Sequence, residues 1–181
     1  RSTLLPYATP CRAIPVQLRM DVRRASEEAK FGFGFSRRGI VNEAASSWFL
    51  SRVVGISSAL EWCFSGRVFS AAEAKERGLV RSVHKADELY PAAVALAREF
   101  ADQTAPVSVA VIRQMIWRMA GAETPMQAHQ MDSRAMKSRG ASEDVKEGVT
   151  SFLEKRPAKF PDQVSKDLPD FFDWQSEPPF K

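Results

Sequence analysis

Apolar positions along this chain recur mostly at helical spacing. After Asn42, the residues Trp48, Phe49, Val53 and Val54 form a wide apolar face that stops at Gly55. This predicts a helix with Asn42 as N-cap and Glu43 in its first turn. A second helix is expected from Ser57 to Ser65, closed by Gly66. Ser70-Ala-Ala-Glu73 reads as a capping box that opens a short helix ending at Gly78. Farther on, Leu89–Gln103 predicts a helix with Leu96 and Phe100 inward. Pro106–Met119 predicts another, with proline tolerated in its first turn. Thr124-Pro-Met-Gln127 starts a helix reaching about Ser138. In the last, Ser142–Arg156, Val145, Val149, Phe152 and Leu153 fall on one face.

Strands are fewer. Met20–Ser26 and Lys30–Phe35 read as two short strands, with a turn opening at Gly39, and the valine-rich Leu79–His84 reads as a third. The two ends differ in kind. Residues 1–18 carry Pro6, Pro10 and Pro15 without any period and read as an irregular leader. Residues 157–181 hold prolines together with Phe160, Phe171, Phe172, Trp174 and Phe180, so they read as an extended arm laid over this domain or a neighbouring subunit. The expected organisation is a leader (1–18), an α/β part (19–88), a helical part (89–156) and the arm (157–181).

Composition narrows the class. Hydrophobic residues are 44% and charged residues 27%, which suits a folded globular chain. No apolar run approaches the roughly 20 residues of a spanning helix, so no membrane association is expected. No secretory signal pattern opens the chain. Cys11 and Cys63 cannot build a disulfide framework, and no Cys/His spacing suits zinc, so no metal is expected and a reducing, cytoplasmic setting is. The net charge is +4, but the basic residues are dispersed among 22 acids. A generic basic surface is therefore expected rather than a nucleic-acid site.

A resemblance adds what periodicity cannot. Lys30-Phe-Gly-Phe33, the block Gly39–Gly55, Ala59-Leu-Glu61, Ser65-Gly-Arg67, Ala71-Ala-Glu-Ala74 and Gly78-Leu-Val80 follow one another at the spacing of the crotonase superfamily, the enoyl-CoA hydratases and isomerases. Ser142-Glu-Asp-Val-Lys-Glu-Gly148 and Phe152-Leu-Glu-Lys-Arg-Pro157 resemble the same family near its C-terminus. The resemblance implies an α/β crotonase-like spiral of ββα turns, N-terminally truncated here, followed by C-terminal trimerisation helices. It also implies an acyl-CoA substrate, an enolate-like oxyanion held by two backbone N–H groups, and carboxylates that move protons. Coenzyme A would enter as part of the substrate, and the expected assembly is a homo-oligomer, a trimer or dimer of trimers. The segments that bear the two donors in the family precede the equivalent of Met20. In this chain that place holds the glycine-free stretch 8–15, so the chain resembles the C-terminal part of a crotonase behind an unrelated leader.

The same resemblance assigns roles. Glu43 stands where isomerase- and dehalogenase-like members carry an acidic residue, and an apolar pocket would tune it as a catalytic base. Taken alone, it reads as a first-turn glutamate complementing the helix dipole. Phe35 stands where two-carboxylate hydratases carry a glutamate; it cannot activate water and would line an apolar pocket. Met136 and Phe152 are candidates for contact with coenzyme A, and Lys155 for its phosphates, although apolar spacing also makes the first two core residues and a helix-end lysine is ordinary dipole complementation. No serine or cysteine joins His84 or His129 in a nucleophile signature. Two other readings stand beside the enzyme: an inactive oligomerisation or interaction module, and an acyl-CoA hydrolase or dehalogenase with Glu43 as nucleophile.

Overall fold

Helices dominate, and the strands are three residues each. The computed structural model describes residues 14–172; Cys11, Trp174, Phe180 and most of the leader lie outside the described residues. The chain divides at Ala95/Leu96 into two units.

The first unit runs through α1 (Ile14–Gln17), β1 (Arg24–Ser26), β2 (Lys30–Gly32), a 3-10 turn (Ser36–Arg38), α2 (Ser46–Val54), α3 (Ile56–Ser65), β3 (Val68–Ser70), α4 (Ala71–Glu76), β4 (Ser82–His84) and the start of α5 (Ala86–Gln103). β1 pairs in parallel with β4, Arg24 opposite Ser82 and Ser26 opposite His84. β2 pairs antiparallel with β3, Lys30 opposite Ser70. All three expected strands are shorter than their apolar patterns. The first starts only at Arg24, because Arg23 donates to the carbonyls of Leu18, Met20 and Leu79 and holds the preceding residues in a turn. The second stops at Gly32, since Phe35 is already in helical geometry ahead of the 3-10 turn. In the third, Leu79 and Val80 are core residues whose N–H groups return to the Ala74 carbonyl, leaving Ser82–His84 to pair.

Trp62 is fully buried at the centre of this unit. Its ring stacks on Phe69 at 4.0 Å and on Phe33 at 6.1 Å, within the favourable range for aromatic pairs. Its indole Nε1–H donates to Glu73 Oε1 at 2.9 Å. Glu73 also receives Arg67 Nη1 at 2.8 Å, and Arg67 reaches Glu61 at 2.9 Å. The expected cap at Ser70 is present, with its hydroxyl accepting from Glu73 N–H at 3.2 Å. The C-terminus of α3 is closed from outside the helix. Ser36 Oγ donates to the Cys63 carbonyl at 2.7 Å, and Arg37 Nε donates to that of Ser65 at 2.6 Å. Gly66 turns left-handed beneath them, where a Cβ would come within 2.9 Å of Arg37 Cγ.

The second unit holds the remainder of α5, then α6 (Pro106–Met119), α7 (Pro125–Gly140), α8 (Glu143–Leu153) and the segment that follows. Val107, Val111, Ala135 and Phe172 form its core, with Met115, Met131, Leu168 and Phe171 against it. The described part of the arm therefore covers its own unit. Polar ties hold it down. Arg139, nearly buried, pairs with Asp144 and Asp162, and Asp144 also accepts the Asp162 backbone N–H at 3.0 Å. Glu147 accepts Lys159 N–H and pairs with Arg156, both at 2.6 Å. Two apolar expectations differ from this arrangement. Phe100 is exposed rather than inward, and Val145, Val149, Phe152 and Leu153 are all exposed. Their periodicity marks a shared face that this unit does not bury.

Two outcomes follow from the packing. Hydrogen bonds from Arg67 and Trp62 hold Glu73 at about 2, below its ordinary 4.5. Its stabilising contribution is therefore complete above about pH 4.5 and is lost as pH falls through about 2. Glu73→Gln should make the acid loss of stability over that window shallower in urea titrations, and an unchanged profile contradicts the assignment. Phe172→Ala should cost about 3–5 kcal/mol in the same measurement. A cost below about 1 kcal/mol would mean that the arm is not core.

Candidate functional site

The stretch from Phe35 to Ser46 carries the first unit's candidate chemistry. Phe35 is 5% exposed and belongs to the apolar core. Gly39 takes a left-handed conformation, and the chain then emerges through exposed Ile40 and Val41. Asn42 is not an N-cap. Its side-chain amide lies 3.5 Å from Cys63 Sγ, and burial pushes the Cys63 thiol up while this contact opposes the shift.

Glu43 does not sit in a first helical turn. The chain passes through Ala44 and Ala45 at φ +50° and +56° before α2 begins at Ser46. Left-handed alanine costs roughly 1–2 kcal/mol per residue, so this approach concentrates backbone strain next to the candidate base. Ala45 is the N-cap and supplies no side-chain cap. The Glu43 carbonyl accepts the Ser46 N–H at 2.9 Å. Its side chain is exposed, and no hydrogen bond or ion pair engages its carboxylate among the described residues. The apolar enclosure expected around it is not formed there. Chemically, the arrangement offers an open carboxylate beside a helix start, able to accept a proton from a bound molecule.

Ser46 is the first residue of α2. The structure buries it completely and leaves its hydroxyl without a partner among the described residues, an arrangement that carries a desolvation penalty. No sequence signal marks it.

The other candidates lie in the second unit. Met136, on α7, is 74% exposed. Phe152, at the end of α8, is 80% exposed. Lys155 follows α8 in a left-handed conformation, with its N–H on the Phe152 carbonyl at 3.3 Å and its side chain in solvent. Phe152 and Lys155 thus share one helix end, while Met136 stands on a different helix. Glu43 and Phe35 belong to the first unit. His84 meets the Ser82 hydroxyl at 2.7 Å, and His129 lies exposed on α7. Among the described residues, no group of three or more His, Cys, Asp or Glu side chains could hold a metal ion, and no helix is long and apolar enough to cross a membrane.

Comparison with known proteins agrees with the sequence blocks. The family model for enoyl-CoA hydratase/isomerase matches residues 14–163. The enoyl-CoA hydratase ACTT3 of Alternaria alternata is 39% identical over 152 residues, which are 83% of this chain and 51% of that protein. The 1,2-epoxyphenylacetyl-CoA isomerase of Escherichia coli is 34% identical over 142 residues, 77% of this chain and 53% of that one. Among solved structures, an enoyl-CoA hydratase from Bacillus anthracis superposes with a TM-score of 0.77 at 30% identity, covering 80% of this chain and 55% of its own. The chain spans about half the length of the curated relatives it matches. The blocks from Lys30 to Pro157, the α/β elements built on them and these matches agree: this chain belongs to the enoyl-CoA hydratase/isomerase family, within the crotonase superfamily.

Proposed function

We propose that this chain serves acyl-CoA thioester chemistry through an enolate-like intermediate, with Glu43 as the group that moves the proton. The observation that carries this reading is an exposed carboxylate without a partner among the described residues, at the strained approach to α2 in a member of this family. Removal of a proton next to a thioester carbonyl drives negative charge onto the carbonyl oxygen. That charge needs preorganised donors, usually the largest single contribution to such catalysis. In the family, as the resemblance implies, two backbone N–H groups supply them from segments ahead of the equivalent of Met20. Glu43 would take the proton and return it at another carbon of the same acyl group. Phe35 has no proton to give or take and is enclosed in the core, so isomerase-type transfer by one carboxylate fits better than water addition by two.

Coenzyme A enters as the handle of the substrate. Lys155 presents an exposed ammonium just beyond the end of α8, suited to one of its phosphates, and Phe152 and Met136 present exposed apolar surface to the same carrier. A homo-oligomer, a trimer or dimer of trimers, would cover the α8 face of Val145, Val149, Phe152 and Leu153. A cytoplasmic setting fits the cysteine content.

The test fuses this chain behind the half of the Alternaria enoyl-CoA hydratase that it does not match and follows turnover of a medium-chain enoyl-CoA. Glu43→Gln should lower kcat by about 10²–10⁴-fold; wild-type turnover in that variant removes Glu43 from the mechanism. In the same fusion, Lys155→Ala should raise KM by about two- to fivefold with kcat unchanged, the size of one solvent-exposed ion pair. An unaltered KM would separate Lys155 from the coenzyme.

A further inference from the structure

The apolar seat of the arm continues sideways into a groove that the described arm leaves open. Val107 and Val111 of α6 and Ala135 of α7 form the seat, Met115 and Met131 pack against it, and Leu168, Phe171 and Phe172 close it. On the same two helices lies a groove of about 240 Å³, lined by Ile112, Met115, Ile116 and Met119 of α6 and by Ala128 and Asp132 of α7. Residues three and four apart share one helix face, so each helix contributes a single stripe. Met115 belongs both to the seat and to the groove. Ile112 and Ile116 remain exposed with the described arm in place, and apolar surface of this kind marks a place where something docks.

The arm is aimed at this groove. The Arg118 guanidinium lies over the Phe172 ring, 5.4 Å from its centroid, and Arg118 is the neighbour of Met119 on α6. Phe172 is therefore set down beside the groove's lining. Trp174 comes two residues later, within about 7 Å of extended chain. Phe180 lies eight residues on, too far along the chain for Phe172 to direct it. The volume falls below the roughly 300–1,000 Å³ of a small-molecule site and suits one large side chain. Its chemistry suits an indole. Five of the lining residues are apolar, and the sixth, Asp132, is an exposed carboxylate that no hydrogen bond or ion pair engages among the described residues. A tryptophan asks for that combination, an apolar bed for the ring and one acceptor for its N–H.

We propose that the α6–α7 groove is the docking site of this chain's own C-terminal segment, residues 173–181, with the Trp174 ring filling it and the indole N–H donating to Asp132. The segment acts as a strap that extends the cover begun by Phe171 and Phe172 and clamps α6 to α7. This stands on the second unit alone and needs neither Glu43 nor the acyl-CoA reading.

The experiment uses the full 181-residue chain. Subtracting the fluorescence of Trp174→Phe from that of the unaltered chain isolates Trp174 from Trp48, Trp62 and Trp117. The expected difference is the blue-shifted emission of an indole in apolar surroundings, shielded from iodide. Ile116→Asp puts a charge into the groove and should return that emission to the one of an indole in water, with far-UV circular dichroism unchanged. Trp174→Ala should speed amide exchange over residues 112–119 and 128–132 about 10- to 100-fold, the equilibrium equivalent of burying one large apolar side chain. If Ile116→Asp unfolds the chain, the exchange of Trp174→Ala decides. A Trp174 emission open to iodide, a shielded emission indifferent to Ile116→Asp in a folded chain, unchanged exchange in Trp174→Ala, or shielding that vanishes on dilution because a second copy supplies the indole would each overturn the proposal.

Discussion

The hydrogen bond from the Trp62 indole to Glu73 joins an aromatic stack to an ion-pair network. On one side is the stack of Trp62, Phe69 and Phe33, which fastens α3 to the antiparallel β2–β3 pair. On the other is a carboxylate bridged by Arg67 to Glu61, which returns the chain to α3. A buried tryptophan needs an acceptor for its N–H, and the acceptor here also helps begin α4, since the Glu73 N–H is capped by Ser70. Removing the acceptor would leave a buried donor and a misplaced guanidinium together. The loop that bears Glu43 is suspended between Phe35 and Leu50, both residues of this core, so the geometry of the candidate site depends on it.

Much of the helical architecture was written locally. Ser70 and Ser142 cap the helices they precede, each accepting an N–H three residues on. Glycines at 55, 66 and 78 close segments through positive φ, which the sequence announces because few other residues take that conformation cheaply. What escaped was non-local. Asn42 has every property of an N-cap, yet its amide is engaged by Cys63, 21 residues away. The true cap is Ala45, in a conformation alanine disfavours. Val22, Leu79 and Val80 extended the strand patterns because apolar residues in tight turns look the same as apolar residues in strands.

The candidate site was less legible than the fold. Glu43 stood out through resemblance, since a glutamate before an apolar run is ordinary by itself. Among the described residues, Ser46 and Arg24 carry buried polar atoms without partners, and no rule of spacing or composition reveals such a deficit. The apolar stripe of α8 was visible in the sequence, but periodicity reports that a face wants cover and says nothing of what supplies it. Both units thus show the same limit: pattern tells which surfaces are sticky, and geometry tells which atoms remain unanswered.

The closure of α3 bears on the order of events during synthesis. Its last carbonyls are met by Ser36 and Arg37, residues made 27 and 28 positions earlier. A helix that relied on residues beyond its own end would have to wait for them to emerge from the ribosome. Here the cap is already outside when Cys63–Ser65 arrive, so vectorial translation delivers the acceptors to donors that are waiting. A circular permutant opened between Gly39 and Asn42, ahead of α2, would reverse that order, and α3 would then be born with a frayed end.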